Sequence, residues 1–474
     1  MKEISIWKDT VSSLNYSSLQ EDSKVDVLII GGGITGVSTL YYLRKSNLKV
    51  MLVEQNKVGG SVTGNSTGKL TFLQNDLLDK IRKNFGDDKA SLYIKSQREA
   101  IDSVIHIVDN EKIDCDLEKV DSYLYTNQNK EIDKLKKLEN FLGKCGINIK
   151  EKDINFIDSK YLFGVDGTYL FHPIKFIHGL LKTGNYSVYE NTSIQRIEKD
   201  GDAYLCYTNT NLIRARFVVI ASHYPYFMLP FLFPIKANLE KSYLSASRST
   251  LDRMSLISYS YPFISIRSYC DYLIYLSNSH SPSRCVNDKK NYEELIKKIS
   301  DLGLVPEYLW SNIDVMTNDG LPYIGRFQDN MFIGTGYNTW GLTNGVLAGK
   351  IVSDLILGKD NVYTELFSPK RMNLSQITEG TLDGIKTIEG YVNGYLAKQE
   401  AIFYEKREGK NVMVYKDKNG EHVVLRNCPH VGCRLIFNEI EKTWDCPCHG
   451  SRFDLDGRCI SGPANRDIVF HGNN

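Results

Sequence analysis

The chain has 474 residues, with 58 Lys and Arg against 57 Asp and Glu and a formal net charge of +1, so no overall field draws it to nucleic acid or to an anionic membrane. Hydrophobic residues make up 42% and charged residues 24%, the profile of a globular chain of roughly two to four domains. No apolar run approaches the ~20 residues that span a bilayer, and the polar opening segment lacks a signal-peptide core. The cytosol is therefore the expected compartment.

Residues 1–24 read as a leader that packs on the body through Ile6 and Trp7. Residues 25–30 (VDVLII) form an apolar run of buried parallel-strand type. The run enters Gly31-Gly-Gly33-Ile34-Thr35-Gly36 directly, and a helical pattern and a second strand ending at Glu54 follow. In such a βαβ unit Gly31 allows the tight turn, Gly33 lets backbone approach a pyrophosphate and Gly36 permits close helix–strand packing. The phosphates sit on the helix N-terminus, and the acid accepts hydrogen bonds from ribose hydroxyls. The glycine spacing alone is a weak sign. With strand, helix and acid in register it points to a dinucleotide.

A Gly/Ser/Thr-rich loop, 59–71, comes next and contains Thr63, Thr67 and Lys69. Helical patterns cover 87–110 and 131–146, with a short strand at 122–126, and residues 171–178 open a helix with Pro173 in its first turn. Strands are expected at 187–198, 203–208 and 211–220, the last running into Ala221. Alternation of Tyr, Ser and Ile over 236–276 predicts an antiparallel sheet, and 289–302 a surface helix. Farther on lie Asp319–Gly325, then Met331-Phe-Ile-Gly334-Thr-Gly336, then Gly341-Leu342-Thr343-Asn344-Gly345 opening a helix.

Taken in order, these Gly-rich stretches resemble the D-amino-acid-oxidase-like (glycine/sarcosine oxidase) superfamily of FAD oxidoreductases. The resemblance implies an α/β, Rossmann-like FAD-binding domain built from about 25–75, 171–225 and 310–358, with an α+β substrate domain between these segments, the whole spanning 25–362. It places FAD on Gly31, Gly33, Ile34, Thr35, Gly36, Glu54, Thr63, Thr67, Lys69, Ala221, Gly334, Gly336, Gly341, Leu342, Thr343 and Asn344. The 59–71 loop and the 341–345 turn then flank the isoalloxazine, where a helix N-terminus stabilises negative charge on the reduced ring. The 236–276 sheet roofs the substrate cavity.

Residues 363–398 change character and read as a connecting arm. From 399 short strands around a Lys418-Asn-Gly420 turn lead to Cys428-Pro-His430 and Cys446-Pro-Cys448-His449. Two thiolates can hold one iron of a [2Fe–2S] cluster while two imidazoles hold the other, which raises the potential into a range of roughly −150 to +300 mV. Zinc also accepts Cys₂His₂ sets, although zinc fingers usually keep the cysteines in one pair and the histidines in the other. The residue order resembles the Rieske ligand set, with Cys428, His430, Cys446 and His449 as ligands. That resemblance implies a small all-β domain over 399–474, a disulfide between Cys433 and Cys448, and a Pro loop at 461–464 covering the cluster. Cytosolic reduction disfavours disulfides in general, but a bridge under that loop is protected. Cys115, Cys145, Cys206, Cys270 and Cys285 read as buried free thiols.

The two halves together resemble bacterial FAD-dependent oxidoreductases with a fused Rieske centre. The expected function is oxidation of a small amine- or amino-acid-like substrate by FAD, with electrons passing through the cluster to an external acceptor, proteins included. The competing reading is an electron-transfer module between a partner reductase and an oxygenase or quinone acceptor; a redox sensor would use the same cofactors. A Rieske oxygenase needs a further iron on two histidines and a carboxylate. His172 and His178, at i,i+6, share no helix face and read as structural. Arg267, on a roof strand, is the substrate candidate, because its guanidinium can hold a carboxylate bidentately; the alternative is an ordinary strand arginine. His223 reads as structural. No general base is assigned, since hydride transfer from a neutral amine needs only a positioned flavin.

Overall fold

The computed structural model describes residues 1–151, 154, 157–225, 236–284, 288–371, 389–395, 399 and 401–472. Its first sheet is centred on Ser23–Ile30, which pairs in parallel with Val50–Val53 on one side and Leu212–Ile220 on the other. Met331–Thr335 extends it in parallel and Tyr323–Gln328 closes that edge antiparallel; Ser187–Tyr189 closes the other. The strand interiors are continuous apolar runs, and helices cover them: Ile34–Leu43 packs on Gly341–Ile356. This is the layering of a buried parallel sheet.

The second sheet has nine strands and lies over the C-terminal ends of the first. Its long members are Ala237–Arg248 and Pro306–Thr317, paired antiparallel, followed by Tyr272–His280, Ser265–Tyr269 and Ser255–Ser258. Glu118–Thr126 and Tyr161–Leu170 complete it. The 236–276 region is thus strand-rich as expected, although Ser255–Ser258 runs parallel to Glu118–Thr126 rather than antiparallel.

The leader packs as expected. Ile6 and Trp7 are fully buried, and the main chain of Lys2 pairs with Glu307 and Leu309 at the edge of the second sheet. The stretch 187–198 is not one strand. Glu190 turns inward to accept from Val58 N at 2.9 Å and Lys57 Nζ at 2.7 Å, and Asn191 takes a left-handed φ of 49°, so the chain breaks before Arg196–Asp200. The expected helix at 87–110 is the second part of Leu77–Glu111, kinked at Gly86. Among the lone cysteines, Cys115 and Cys206 are buried, Cys145 is half-buried and Cys270 is exposed; Cys285 lies outside the described residues.

The start of the expected arm belongs to the body. Tyr363, Leu366 and Phe367 are buried in the main core, and Arg371 holds the fully buried Asp319 at 2.8 Å. Most of the remaining arm, 372–388 and 396–398, lies outside the described residues. Residues 389–395 are helical, and Gly390 and Gly394 press against Pro447, Cys448 and Arg434 of the final domain. That domain has a three-stranded sheet, Ile402–Arg407, Lys410–Asp417 and Gly420–Leu425, and a four-stranded one made of Ile436–Asn438, Thr443–Asp445, Arg452–Phe453 and Cys459–Ser461.

A buried ionic network joins this domain to the roof sheet. Lys241 Nζ lies 2.9 Å from Asp288 and 2.8 Å from Asp445, and Arg452 lies 2.7 Å from Glu441 and 3.2 Å from Asp445. Tyr292 donates to Glu441 at 2.7 Å, and Arg452 donates to Ser311 at 3.2 Å. Strand alternation explains the arrangement: Glu240 and Ser242 line the cavity on one face of Ala237–Arg248, while Lys241 points from the other face into the final domain.

Candidate functional site

Between the two sheets lies one large cavity, about 1740 Å³ including its open mouth. Of the residues expected to bind FAD, Gly31, Gly33, Ile34, Thr35, Glu54, Thr63, Thr67, Lys69, Ala221, Gly334, Gly341 and Leu342 line it. The glycines divide by role. A Cβ on Gly31, whose φ is 114°, would lie 2.7 Å from Ala221 O, and one on Gly36 would lie 1.9 Å from Gly31 O. Those two permit the turn and the packing. A Cβ on Gly33 meets nothing but Thr63 Oγ1 at 3.2 Å within contact range, so this position faces the void. Glu54 is fixed by backbone donors, Gly32 N at 2.7 Å and Asn56 N at 2.9 Å.

Gly36, Gly336, Thr343 and Asn344 do not line the cavity. Gly336 makes a left-handed turn against Thr317. Asn344 accepts from Gln97 at 2.9 Å and donates to Trp340 O, and Thr343 accepts from Thr71 N. These residues shape the helix start that presents Gly341 and Leu342 to the cavity. Lys69 donates to Leu256 O at 3.0 Å and Ser265 Oγ at 2.8 Å, and burial, reinforced by Arg267, pulls its ammonium pKa well below the ordinary lysine value.

Arg267 is not on the cavity wall, which corrects its reading as a substrate ligand. It is 1% exposed, with its guanidinium donating to the carbonyls of Thr67, Gly68, Phe171 and Ser268. The Trp7 ring covers it at 5.2 Å. Its charge is spent on holding the 59–71 loop. His172 caps the helix Pro173–Lys182 by accepting from Lys175 N and contacts Thr10, so it is structural as expected. His223 does line the cavity; burial holds it neutral, with a pKa of about 4, and its Nε2 has no hydrogen-bond partner.

The roof contributes polar residues that sequence reading missed: Glu240, Ser242, Ser258, Ser265, Ser279, Asn312 and Asp314. Their signal was polar side chains at every second position of long strands. Pairing Glu240 with Asp314 needs the register of strands some seventy residues apart.

The Cys/His cluster is built from two loops of the final domain. Cys428 N donates to Cys433 O at 2.8 Å and Gly432 N to Cys428 O at 3.0 Å; Cys446 N donates to Ser451 O at 2.7 Å and Gly450 N to Cys446 O at 2.9 Å. Two similar tight loops thus face each other, joined by a Cys433–Cys448 disulfide with Cα atoms 6.5 Å apart. The His430 and His449 rings lie 4.9 Å apart, and the Cys428 and Cys446 thiols are both buried. Burial keeps both imidazoles neutral, His449 with a pKa of about 4, and both nitrogens of His430 are enclosed without partners. Two thiols and two neutral imidazoles fit an iron–sulfur cluster. The Pro loop folds over them, with Ala464 N donating to Ser451 Oγ at 3.1 Å.

This loop also reaches the cavity. Ile460, Ser461 and Gly462 are part of its wall, and Gln55 and Asn56, beside Glu54, donate to the carbonyls of Ile460 and Cys459.

The model of the DAO family of FAD-dependent oxidoreductases matches residues 26–355, and that of the Rieske [2Fe-2S] domain matches 394–470. The chain belongs to the DAO family and carries a Rieske domain. FAD and a [2Fe–2S] cluster are its cofactors. It is 32% identical to the Rieske 2Fe-2S iron-sulfur protein YhfW of Bacillus subtilis, over 98% of this chain and 96% of that one. It is 23% identical to the gamma-glutamylputrescine oxidoreductase of Escherichia coli, over 72% of this chain and 86% of that one. Among solved structures, glycine oxidase from Geobacillus kaustophilus superposes with a TM-score of 0.60 at 18% identity, covering 74% of this chain and 99% of that one. No helix among the described residues is long and apolar enough to cross a membrane.

One consequence of the donor set is measurable. Ferric iron withdraws charge from its imidazole ligands, so oxidation and deprotonation are coupled. The cluster potential should fall as pH rises through the ligand pKa values of the oxidised form. Voltammetry from about pH 6 to pH 10 checks this, and a flat potential would contradict the histidine ligation.

Proposed function

We propose that this oxidoreductase oxidises a small amine at FAD and passes the electrons through the Rieske cluster, held by Cys428, His430, Cys446 and His449, to an external one-electron acceptor. The supporting observation is the shared wall: the loop covering the cluster lines the same cavity as Gly31 and Gly33. Bound FAD takes two electrons from an organic donor and returns them singly, which suits a one-electron neighbour.

The chain's own residues set the rest. The N-terminus of Ile34–Leu43 opens at Gly33 on the cavity wall, where its positive end would hold a bound pyrophosphate. The start of Gly341–Ile356 brings the positive end of a helix to the cavity wall, where it would stabilise negative charge on a reduced flavin. Oxidation removes two electrons and two protons from the amine, giving an imine that water hydrolyses, and two acceptor turnovers remove the electrons. An amine is favoured because the roof presents the carboxylates of Glu240 and Asp314 to the cavity.

Anaerobic screening of amines and amino acids for bleaching of the flavin spectrum tests the substrate reading. An amine in the panel should bleach the flavin within seconds. A protein bleached only by carboxylate-bearing substrates would refute it.

A further inference from the structure

Glu240 and Asp314 stand directly opposite each other on the two central roof strands, and both line the cavity. Beside them Ser242 faces Asn312 in the same register, and Ser242 Oγ lies 2.9 Å from Ser279 Oγ. Like charges directly across a strand pair destabilise a sheet. Neither carboxylate is held by a cation at ion-pair distance among the described residues. Asp314 accepts one hydrogen bond, from Asn312 at 3.1 Å. Glu240 Oε1 is closed off from solvent with no hydrogen-bond partner among the described residues.

Several other buried acids of this chain are held by cations: Asp288 and Asp445 share Lys241, and Asp319 holds Arg371. Glu240 and Asp314, without such a partner among the described residues, face the cavity. On the reading that the cavity takes an amine, we infer that Glu240 and Asp314 bind the distal ammonium of a dicationic or polycationic amine that carries no carboxylate.

Burial raises both acids to about 7, Glu240 under the further influence of Asp314 and Asp76 and against Lys80. An empty pair therefore retains a proton near neutrality. A bound ammonium would displace it, so binding at pH 7 should release protons.

Equilibrium dialysis of 1,4-diaminobutane against photoreduced, anaerobic holoprotein tests the inference, because the reduced protein cannot turn the diamine over. The diamine should bind at least about tenfold more tightly than n-butylamine or glycine, as expected for a charge-assisted hydrogen bond to a buried carboxylate. Glu240→Gln and Asp314→Asn keep side-chain shape and remove the repulsion, so both variants should fold and bind the diamine no better than wild type binds n-butylamine. Equal binding of diamine and monoamine, or full diamine affinity in both variants, would overturn the inference. Flavin bleaching in the oxidised protein separates the two readings. Bleaching by amines without diamine preference upholds amine oxidation and removes this site. Tight diamine binding without bleaching upholds the site and refutes amine oxidation.

Discussion

Gly33→Val should yield folded protein that purifies without flavin. Gly33 has an ordinary φ of −80°, and its added Cβ meets only the Thr63 hydroxyl within 4 Å, so the empty fold accommodates a side chain. The branched methyls then occupy the space where backbone must approach a pyrophosphate. Gly36→Val is the informative contrast. There the Cβ collides with Gly31 O, and the helix must leave the sheet, so that variant should fail to fold rather than merely lose cofactor. Absorbance of the purified proteins and their circular dichroism distinguish the two. Full FAD occupancy in Gly33→Val would refute the placement of the cofactor.

Lys241→Met should loosen the Rieske domain from the body. Lys241 is 3% exposed and is shared by Asp288 of the body and Asp445 of the Rieske domain. Methionine retains the apolar stem but removes the cation that Asp288 and Asp445 share, leaving Asp445 with the Arg452 cation alone. Breaking a buried pair in this way costs about 3–5 kcal/mol. Burial alone would raise the pKa values of Asp445 and Glu441, but Arg452 and Lys241 outweigh it and hold both below the ordinary carboxylate range. Docking is therefore stabilised above the ordinary carboxylate pKa and weakens as pH falls through the lowered folded values. Limited proteolysis should cut the variant between body and Rieske domain faster than the wild type, and acid should do the same to the wild type. Unchanged cleavage in the variant would show that the network does not hold the domains together.

Both candidate cofactor sites were legible because the residues that form them are close in sequence. Gly31, Gly33 and Gly36 act within one turn, and Cys428, His430, Cys446 and His449 sit in two short loops whose order carries the information. What was not legible depends on distant partners. Arg267 shares its strand with Ser265, which does line the cavity, and only the fold shows that Trp7 and the Gly68 turn close over the guanidinium. Glu240, Ser242 and Lys241 are near neighbours in sequence with opposite destinations, decided by which face of the strand meets the Rieske domain. The arm was drawn too early, because the aromatic residues at 363 and 367 return to the core of the body. The break at Glu190 depended on Lys57 and the Val58 amide, more than a hundred residues upstream.

Under the proposed function, electrons leave the flavin through the cluster within one molecule. Photoreduction of the bound flavin under anaerobic conditions, followed by freeze-quench EPR, tests it without any knowledge of the substrate. The docked Rieske loop predicts that a Rieske-type, low-average-g signal grows as the flavin re-oxidises, at a rate independent of protein concentration. A signal that never appears, or one whose rate rises in proportion to protein concentration, would contradict the account.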